Sequence, residues 1–309
     1  MKSYDISRFS ASGQCVCALG CFDGVHIGHS ALIGEARAIA RKLSLPVAVW
    51  SFEAPPKNYF SKKKVGILTL KDEKRLAMRR LGVDIFVNVP LDSGIFSLSP
   101  HDFFSKVLLG TMRVKHVVCG FNYRFGKGGV GDTALLREFC DSYGIGLSVI
   151  PPVRLGELTV SSSEIRRALS EGRVDDAADM IGRPYSLRAK VCDGQHLGRK
   201  LGFPTLNQSF FGEKQVPKNG VYLSRITFGG LTRYGITNVG LRPTVDGTTL
   251  CAETNVFDFT GDLYGKTVTV ELLRFIRPEQ KFSSVDELSD RVHSDIATAK
   301  SILSQIKQK

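Results

Sequence analysis

The stretch at residues 19–33, L-G-C-F-D-G-V-H-I-G-H-S-A-L-I, constrains the fold of this chain more than any other segment. It follows an apolar run of strand type at residues 15–19. Behind it, apolar residues recur at helical spacing: Leu32, Ile33, Ala36, Ile39 and Ala40. The motif is therefore predicted to form a strand-to-helix turn, whose free N–H groups can bind a phosphate.

The same turn carries two histidines and three regularly spaced glycines. His26 and His29 are three residues apart, so they share a face on the first helical turn. The glycines, which leave room for close backbone approach, are Gly20, Gly24 and Gly28. H-x-G-H in this setting resembles the nucleotidylyltransferase superfamily. The resemblance implies that both histidines stabilise charge at the α-phosphate of ATP, with Phe22 and Asp23 in the same nucleotide-binding turn.

The length of 309 residues predicts two domains, and 42% hydrophobic with 23% charged residues is typical of a soluble globular protein. We find no run of 18 apolar residues and no signal-peptide pattern over residues 1–12, so neither a membrane span nor a leader is expected. The seven cysteines are odd in number and lack a C-x-x-C pair. They predict free thiols in a reducing cytoplasm rather than a metal site at Cys15, Cys17 and Cys21.

The net charge of +12 is compatible with nucleic acid, an anionic membrane surface or anionic small substrates as partners. Its densest basic runs, at residues 62–64, 79–80 and 166–167, are short and lack interleaved aromatic residues. A solvated basic surface that partly steers nucleotides is therefore favoured, and neither a nucleic-acid nor a membrane partner is expected.

Strand and helix patterns alternate up to residue 150, which predicts an α/β domain with a parallel, doubly wound sheet. The predicted strands are 15–19, 47–52, 84–89, 116–119 and 146–150, and the later helices 70–81, 100–109 and 133–143. Two short helices, to about residue 170 and over 174–181, precede a predicted domain boundary between residues 182 and 183.

The character of the chain changes after residue 183. Short strand-like runs separated by turn residues occupy 188–192, 221–228, 234–239, 253–259 and 267–276. They predict a small antiparallel β-barrel. The pattern Ser284-x-x-Glu287 then starts an amphipathic C-terminal helix.

Two further segments of the first domain carry candidate site residues. The sequence G-F-N-Y-R-F-G at 120–126 follows a strand, where ligands bind in doubly wound sheets. Asn122 there either hydrogen-bonds a nucleotide or flavin, or simply forms a turn. In S-S-S-E-I-R at 161–166, a helix start with hydroxyls and one arginine suits a phosphate, whereas the alternative is an ordinary serine cap.

With the H-x-G-H turn, these segments resemble the adenylyltransferase half of the bacterial bifunctional riboflavin kinase/FAD synthetases. The resemblance implies transfer of AMP from ATP to FMN, giving FAD and pyrophosphate. It assigns catalysis and phosphate binding to His26, His29, Ser162, Ser163 and Arg166 with Mg²⁺, and flavin contacts to Asn122 and Arg124. The chain departs from the family pattern at Cys21 and at Ala54-Pro55-Pro56, where the family has a histidine.

The second domain opens with a glycine-rich stretch over residues 194–207 that is not a Walker A loop. Its glycines suit a mobile loop over phosphate. Thr205 and Asn207 alternate on an extended segment, so both side chains can face one metal ion or one phosphate. Their oxygen atoms suit Mg²⁺, although a turn followed by an ordinary strand would look the same.

The order G-R-x-L-G-F-P-T-x-N, N-x-G-x-R-P-T, E-x-x-x-x-D-F and D-L-Y-G resembles the riboflavin kinase module of the same family. The resemblance implies that Glu253 is the general base for the ribityl 5′-hydroxyl and that Thr205 and Asn207 bind Mg²⁺ with the nucleotide. It also implies phosphate binding by Gly194, Gly198, Arg199 and Gly202, and flavin binding by Arg277 and Phe282.

The leading hypothesis is therefore a two-activity enzyme that converts riboflavin and ATP into FMN and ADP, and then FMN and ATP into FAD and pyrophosphate. One alternative is a chain that retains only one activity. The alternative from another class, a basic nucleic-acid-binding protein, lacks a basic–aromatic stripe. The sequence does not indicate the oligomeric state.

Overall fold

The computed structural model describes residues 1–6, 9–192, 203–210, 213–244 and 247–308. The chain folds into two compact units, Met1–Ser162 and Ser163–Lys309. Within the described ranges, no helix is both long and apolar enough to cross a membrane. All seven cysteines lie in these ranges and are free thiols.

The first unit is built on a six-stranded sheet in which every neighbouring pair of strands is parallel. Its strands are β1 (Lys2–Asp5), β2 (Cys15–Gly20), β3 (Val47–Phe52), β4 (Ile85–Val89), β5 (Val114–Gly120) and β6 (Gly146–Ile150), in the order β1-β4-β3-β2-β5-β6. This confirms the predicted parallel, doubly wound sheet. Strand order reverses at β2, so the carboxyl ends of β2 and β5 flank the crevice where such sheets bind ligands.

Helices cover this sheet: α1 (Ile27–Leu43), α2 (Lys57–Phe60), α3 (Lys71–Arg80), α4 (Pro100–Asp102) and α5 (Thr133–Ser142). β2 is buried on both faces, with Cys15, Cys17 and Leu19 in one core cluster and Val16 and Ala18 in the other. A continuous apolar run is the pattern that a strand buried on both faces requires.

Two details of the first unit differ from the sequence prediction. β1, with the sequence K-S-Y-D, was not predicted because it lacks apolar alternation. It forms by pairing in parallel with β4 over four residues. The predicted helix over 100–109 begins as α4 but continues as a π-helix, Phe103–Thr111, which buries four apolar side chains on one side.

A two-stranded antiparallel sheet, β7 (Arg154–Leu155) and β8 (Leu158–Thr159), lies near the end of the first unit. The second unit contains a six-stranded antiparallel sheet. Its strands are β9 (Tyr185–Lys190), β10 (Thr205–Phe210), β11 (Gly220–Phe228), β12 (Leu231–Thr244), β13 (Gly247–Val256) and β14 (Thr267–Pro278), in the order β10-β13-β12-β11-β14-β9. A bridge between Cys192 and Asn207 joins the two edges, which confirms a nearly closed barrel. The long terminal helix, α8 (Val285–Gln308), packs Val292, Ile296 and Ala299 on its core.

Strand limits in the barrel differ from the predicted ones. The run 234–239 is the middle of the longer β12, and the run 188–192 begins three residues earlier as β9. The strand predicted over 253–259 belongs to β13, which ends at Val256 because Asp258 adopts a left-handed conformation with φ of 53°.

Two short helices, α6 (Ser162–Glu171) and α7 (Val174–Ile181), pack with the barrel as part of the second unit. The Lys218 N–H donates to the Leu169 carbonyl at 2.8 Å, and Arg274 on β14 pairs with Asp175 on α7. A functional boundary between residues 182 and 183 stays a prediction.

Candidate active sites

The loop that joins β2 to α1 is held in an unusual backbone conformation. Phe22 and Val25 have φ of 51° and 42°, values that residues other than glycine adopt only where their surroundings impose them. The buried carboxylate of Asp23 accepts the N–H groups of Leu68 and Thr69 at 2.9 and 3.1 Å. Asp23 therefore anchors the loop to the segment that leads into α3, because its carboxylate accepts hydrogen bonds from the backbone of that segment.

The two histidines of the motif stack on each other at the start of α1. Their ring centroids are 3.6 Å apart, and His26 Nδ1 accepts the backbone N–H of His29 at 3.3 Å. In the neutral His26 ring the proton is therefore on Nε2, which can donate. A Cβ on Gly28 would lie 3.2 Å from the His26 ring, and one on Gly20 would lie 3.1 Å from the Phe22 ring. Gly20 and Gly28 therefore pack against aromatic rings of their own loop, and close approach of a phosphate to the backbone of this loop stays a prediction.

Both histidines are neutral at physiological pH. Burial lowers the pKa of His26 to about 4. The pKa of His29 lies well below its usual value because of burial and, in addition, because of electrostatic interaction with His26 and with the Lys74 side chain. Part of His29 stays accessible, but its Nδ1 is buried. The pair is therefore suited to donate hydrogen bonds to an anionic phosphate without first losing a proton.

The depressed pKa of His26 predicts an acid-sensitive first unit. Because the ring binds a proton near pH 6.5 when unfolded but only near pH 4 when folded, its contribution to stability is present above pH 6.5 and is lost as the pH falls. We expect the free energy of unfolding to fall by about 3 kcal/mol between pH 7 and pH 4 from this ring alone.

The measurement is urea unfolding followed by the emission of Trp50, the one tryptophan of the chain, which is fully buried on β3. The control is His26→Asn, because asparagine also caps a helix but does not titrate. An equal loss of stability in both proteins would show that His26 does not cause the acid sensitivity.

The other predicted residues of this site take different positions. Asn122 and Arg124 lie directly beyond the carboxyl end of β5 and are exposed, and the Arg124 guanidinium is 3.7 Å from the Asp132 carboxylate. Ser162 Oγ donates to the Asp23 carbonyl at 2.8 Å, which ties the serine segment to the H-x-G-H loop. Ser163 and Arg166 follow on α6, in the second unit.

Sequence reasoning missed an aromatic cluster beyond the end of β3. The Phe52 and Phe96 rings stack at 5.0 Å, and Tyr59 and Phe60 lie against Phe96 with 53% and 62% of their surfaces exposed. The two departures from the family pattern also meet here, since Cys21 Sγ lies 3.8 Å from the Ala54 carbonyl. The adjacent Tyr-Phe pair after two prolines was the available signal for an exposed aromatic surface.

In the second unit, four of the predicted residues line one cavity of about 520 Å³: Thr205, Glu253, Arg277 and Phe282. Asn207 pairs with Glu253 across the β10–β13 ladder but does not line this cavity. Thr205 also lines a second cavity of about 330 Å³, together with Pro204, Leu206, Asp262 and Tyr264 among others. Thr205 therefore lines both cavities.

Buried charge organises one wall of the larger cavity. Arg277 donates from Nε and Nη2 to the Asp295 carboxylate of α8 at 2.7–2.9 Å, and its guanidinium lies over the Phe282 ring. The Asp295 side chain is 2% exposed. Asp295 was missed because one acidic residue in a charged helix carries no signal in the sequence. The predicted phosphate-loop residues Gly194, Gly198, Arg199 and Gly202 lie outside the described residues.

The family models for FAD synthetase and riboflavin kinase match residues 9–164 and 181–303. A bifunctional riboflavin kinase/FMN adenylyltransferase of Listeria monocytogenes is 35% identical over 283 residues, which cover 91% of this chain and 90% of that protein. One from Escherichia coli is 36% identical over 300 residues, covering 96% and 95%.

A crystal structure described as a macrolide-efflux protein from Streptococcus pneumoniae has a TM-score of 0.88 with 30% identity, covering 96% of this chain and 98% of that one. Both domain models thus match this chain in the order of its two units, and relatives match over nearly its full length. The chain belongs to the family of bifunctional riboflavin kinase/FMN adenylyltransferases.

Proposed function

We propose that the barrel phosphorylates riboflavin to FMN and that the α/β unit adenylylates FMN to FAD, with residue roles as follows. The observation that carries the proposal is the presence of two separate groups of candidate catalytic side chains, one in each unit. Glu253 and Thr205 line one barrel cavity, and a neutral histidine pair starts α1 beside the crevice of the parallel sheet. The seven free thiols support a reducing cytoplasm as the compartment in which the protein acts.

In the kinase step, the ribityl 5′-hydroxyl attacks the γ-phosphorus of ATP and ADP leaves. Glu253 accepts the hydroxyl proton, because it is the carboxylate of β13 that lines the cavity and lies level with Asn207 and Asn238 on the neighbouring strands. The flavin ring occupies the larger cavity against Phe282 and Arg277. The nucleotide occupies the smaller cavity, and Thr205 lies at the point where phosphate and hydroxyl meet.

In the adenylyl step, a phosphate oxygen of FMN attacks the α-phosphorus of ATP, and the bond to the β-phosphate breaks to release pyrophosphate. No proton has to be abstracted, so catalysis consists of positioning and charge stabilisation. His26 and His29 donate to the phosphate oxygens, while Ser162, Ser163 and Arg166 hold the polyphosphate. The aromatic cluster of Phe52, Tyr59, Phe60 and Phe96, of which Tyr59 and Phe60 are exposed, offers apolar ring faces and edges against which the flavin ring packs.

Mg²⁺ fits the oxygen ligands of the barrel site better than a transition metal does. Thr205 and Asn207 are two residues apart on β10 and therefore share one face of the strand, and both offer oxygen atoms, which Mg²⁺ prefers. Among the described residues, no group of three or more histidine, cysteine and acidic side chains is placed to hold an ion. Mg²⁺ would therefore be held by Thr205, Asn207 and the nucleotide phosphates in the barrel, and it would neutralise polyphosphate charge there.

Replacing Thr205 tests this placement of the metal. We expect Thr205→Ala to raise the concentration of Mg²⁺–ATP needed for riboflavin phosphorylation by roughly tenfold or more, and to leave FAD synthesis from FMN unchanged. The measurement is the KM for Mg²⁺–ATP in each step. The control is Thr227→Ala, a threonine of β11 that lines neither cavity. Phosphorylation that continues in excess EDTA would contradict the need for a divalent ion.

The experiment that tests the proposed function is a time course with riboflavin, ATP and Mg²⁺ in which FMN and FAD are separated. FMN should appear first and FAD should follow with a lag, since FMN is the substrate of the second step. FMN without FAD, or FAD only from supplied FMN, would identify a chain that retains one activity.

A further inference from the structure

Lys74 on α3 is fully buried, with 0% of its surface exposed. Lysine is almost never fully buried unless it is paired, because removing its charge from water is costly. In the described part of the chain, however, the hydrogen bonds and ion pairs of Lys74 involve no carboxylate. An internal lysine without a carboxylate partner requires a reason, and the roles assigned above to the site residues do not supply one.

The hydrogen bonds of Lys74 fit its ammonium form. Its Nζ lies 2.7 Å from the Phe52 carbonyl, 3.1 Å from the Cys21 carbonyl and 3.4 Å from Ser51 Oγ. Carbonyl oxygens only accept. The Ser51 hydroxyl is 2.8 Å from the Cys21 carbonyl, and when it donates there its Oγ accepts from Lys74. Three donated hydrogen bonds require three N–H groups, which only the ammonium form has.

These acceptors lie at the two strand ends that border the adenylyl site. Cys21 is the residue at which β2 passes into the H-x-G-H loop, and Ser51 and Phe52 are the last residues of β3. The same loop is joined to the segment before α3 by Asp23. The loop that carries both histidines is thus held at two points. Its own Asp23 carboxylate binds the segment before α3, and the Lys74 ammonium of α3 binds the Cys21 carbonyl.

We propose that Lys74 is a positioning residue for adenylyl transfer. Its buried ammonium fixes the carbonyl ends of β2 and β3, and with them the loop that presents His26 and His29, and it adds a fixed positive charge beside a site for polyphosphate. The inference rests on the proposed function of the first unit. It also accounts for an ammonium without a protein counter-ion, since the anionic substrate supplies negative charge when it binds.

The test uses the full-length protein with Lys74→Met, which keeps the length of the side chain and removes its charge. The matched control is Lys71→Met on the same helix, because Lys71 is 60% exposed. We expect Lys74→Met to lower kcat for FAD formation from FMN by about 100-fold, because the catalytic loop is displaced, and to raise KM for ATP by a smaller factor, about three- to tenfold, because a positive charge beside the polyphosphate is lost. The Lys71→Met protein should form FAD at a rate within about twofold of wild type. The Lys74→Met protein should phosphorylate riboflavin at a rate within about twofold of wild type.

A second readout, made on protein that Trp50 emission shows to be folded, tests whether the Lys74 charge acts on the site. The groups that act electrostatically on His29 are His26 on its own helix and Lys74 from α3, while the Asp23 carboxylate of the loop is turned to backbone N–H groups. Removing the Lys74 charge should therefore raise the pKa of His29 in the free protein, as measured by histidine NMR. Lys71→Met should not move it.

Ser51→Ala keeps the Lys74 ammonium and removes one of its hydrogen-bond acceptors. This variant therefore tests the proposal even if Trp50 emission shows that Lys74→Met is unfolded. We expect about a tenfold loss of kcat for FAD formation from this variant. A folded Lys74→Met protein with wild-type kcat and an unmoved His29 titration would overturn the proposal, and so would a fully active Ser51→Ala beside an unfolded Lys74→Met. Wild-type protein that makes no FAD would instead refute the proposed function, and the His29 titration would still test Lys74.

Discussion

Glu253→Gln should lower the rate of riboflavin phosphorylation by about 10²–10⁴-fold while FAD formation from supplied FMN persists. Glutamine keeps the shape of the side chain but cannot accept the proton of the ribityl 5′-hydroxyl. The substituted residue lines the barrel cavity, whereas the histidine pair assigned to adenylyl transfer lies in the first unit. KM for riboflavin should change little, because the lost interaction is with a proton that moves in the transition state.

The matched control is Glu279→Gln, which removes a second carboxylate from the same cavity. Glu279 lies 3.4 Å from the Asn238 amide and is not opposite Asn207, so we assign it no proton transfer. Single-turnover rates of FMN formation should separate the two variants by at least about tenfold. Equal losses would indicate that the cavity needs negative charge in general, and phosphorylation by Glu253→Gln within a few-fold of wild type would remove Glu253 from the mechanism.

The parts of the fold that could be predicted are those whose local pattern and tertiary environment agree. β2 and β3 are short, apolar and buried on both faces, so sequence and structure give nearly the same limits. β1 could not be predicted because its residues are polar and its strand conformation comes from pairing with β4, more than eighty residues away. The limits of β12 and β13 depend likewise on pairing with each other rather than on local pattern.

The candidate sites divide along the same line. His26 and His29 are close in sequence, so their shared face could be inferred from helical spacing alone, and the structure stacks their rings. Lys74 and Asp295 could not be found in this way. Each reads as an ordinary charged residue of an amphipathic helix, and its burial arises from partners 18 to 53 positions away. Long-range burial of charge is a property of the fold that no local pattern encodes.

His29→Ala should lower FAD formation from FMN by roughly 10²–10³-fold, the loss expected when one donor to a charged transition state is removed, and should leave FMN formation from riboflavin intact. The ring of His29 is neutral and lies between His26 and Phe22, whose centroids are 3.6 and 5.0 Å away. Alanine therefore removes the donor and part of the packing that orients the second ring. The measurement is the rate of each step on the same protein sample.

The control for His29→Ala is His116→Ala, a second partly buried histidine of the first unit, which pairs with Ser148 on the neighbouring strand rather than with the H-x-G-H loop. His116→Ala should change stability but not the rate of FAD formation per folded molecule, with folding followed by Trp50 emission. A folded His29→Ala protein that lost both activities would contradict the assignment of two separate sites, because the barrel contains Glu253 and Thr205 in a cavity of its own. If both histidine variants were folded and lost FAD formation equally, the loss would come from a general disturbance of the parallel sheet. His29 would then have no specific role in adenylyl transfer.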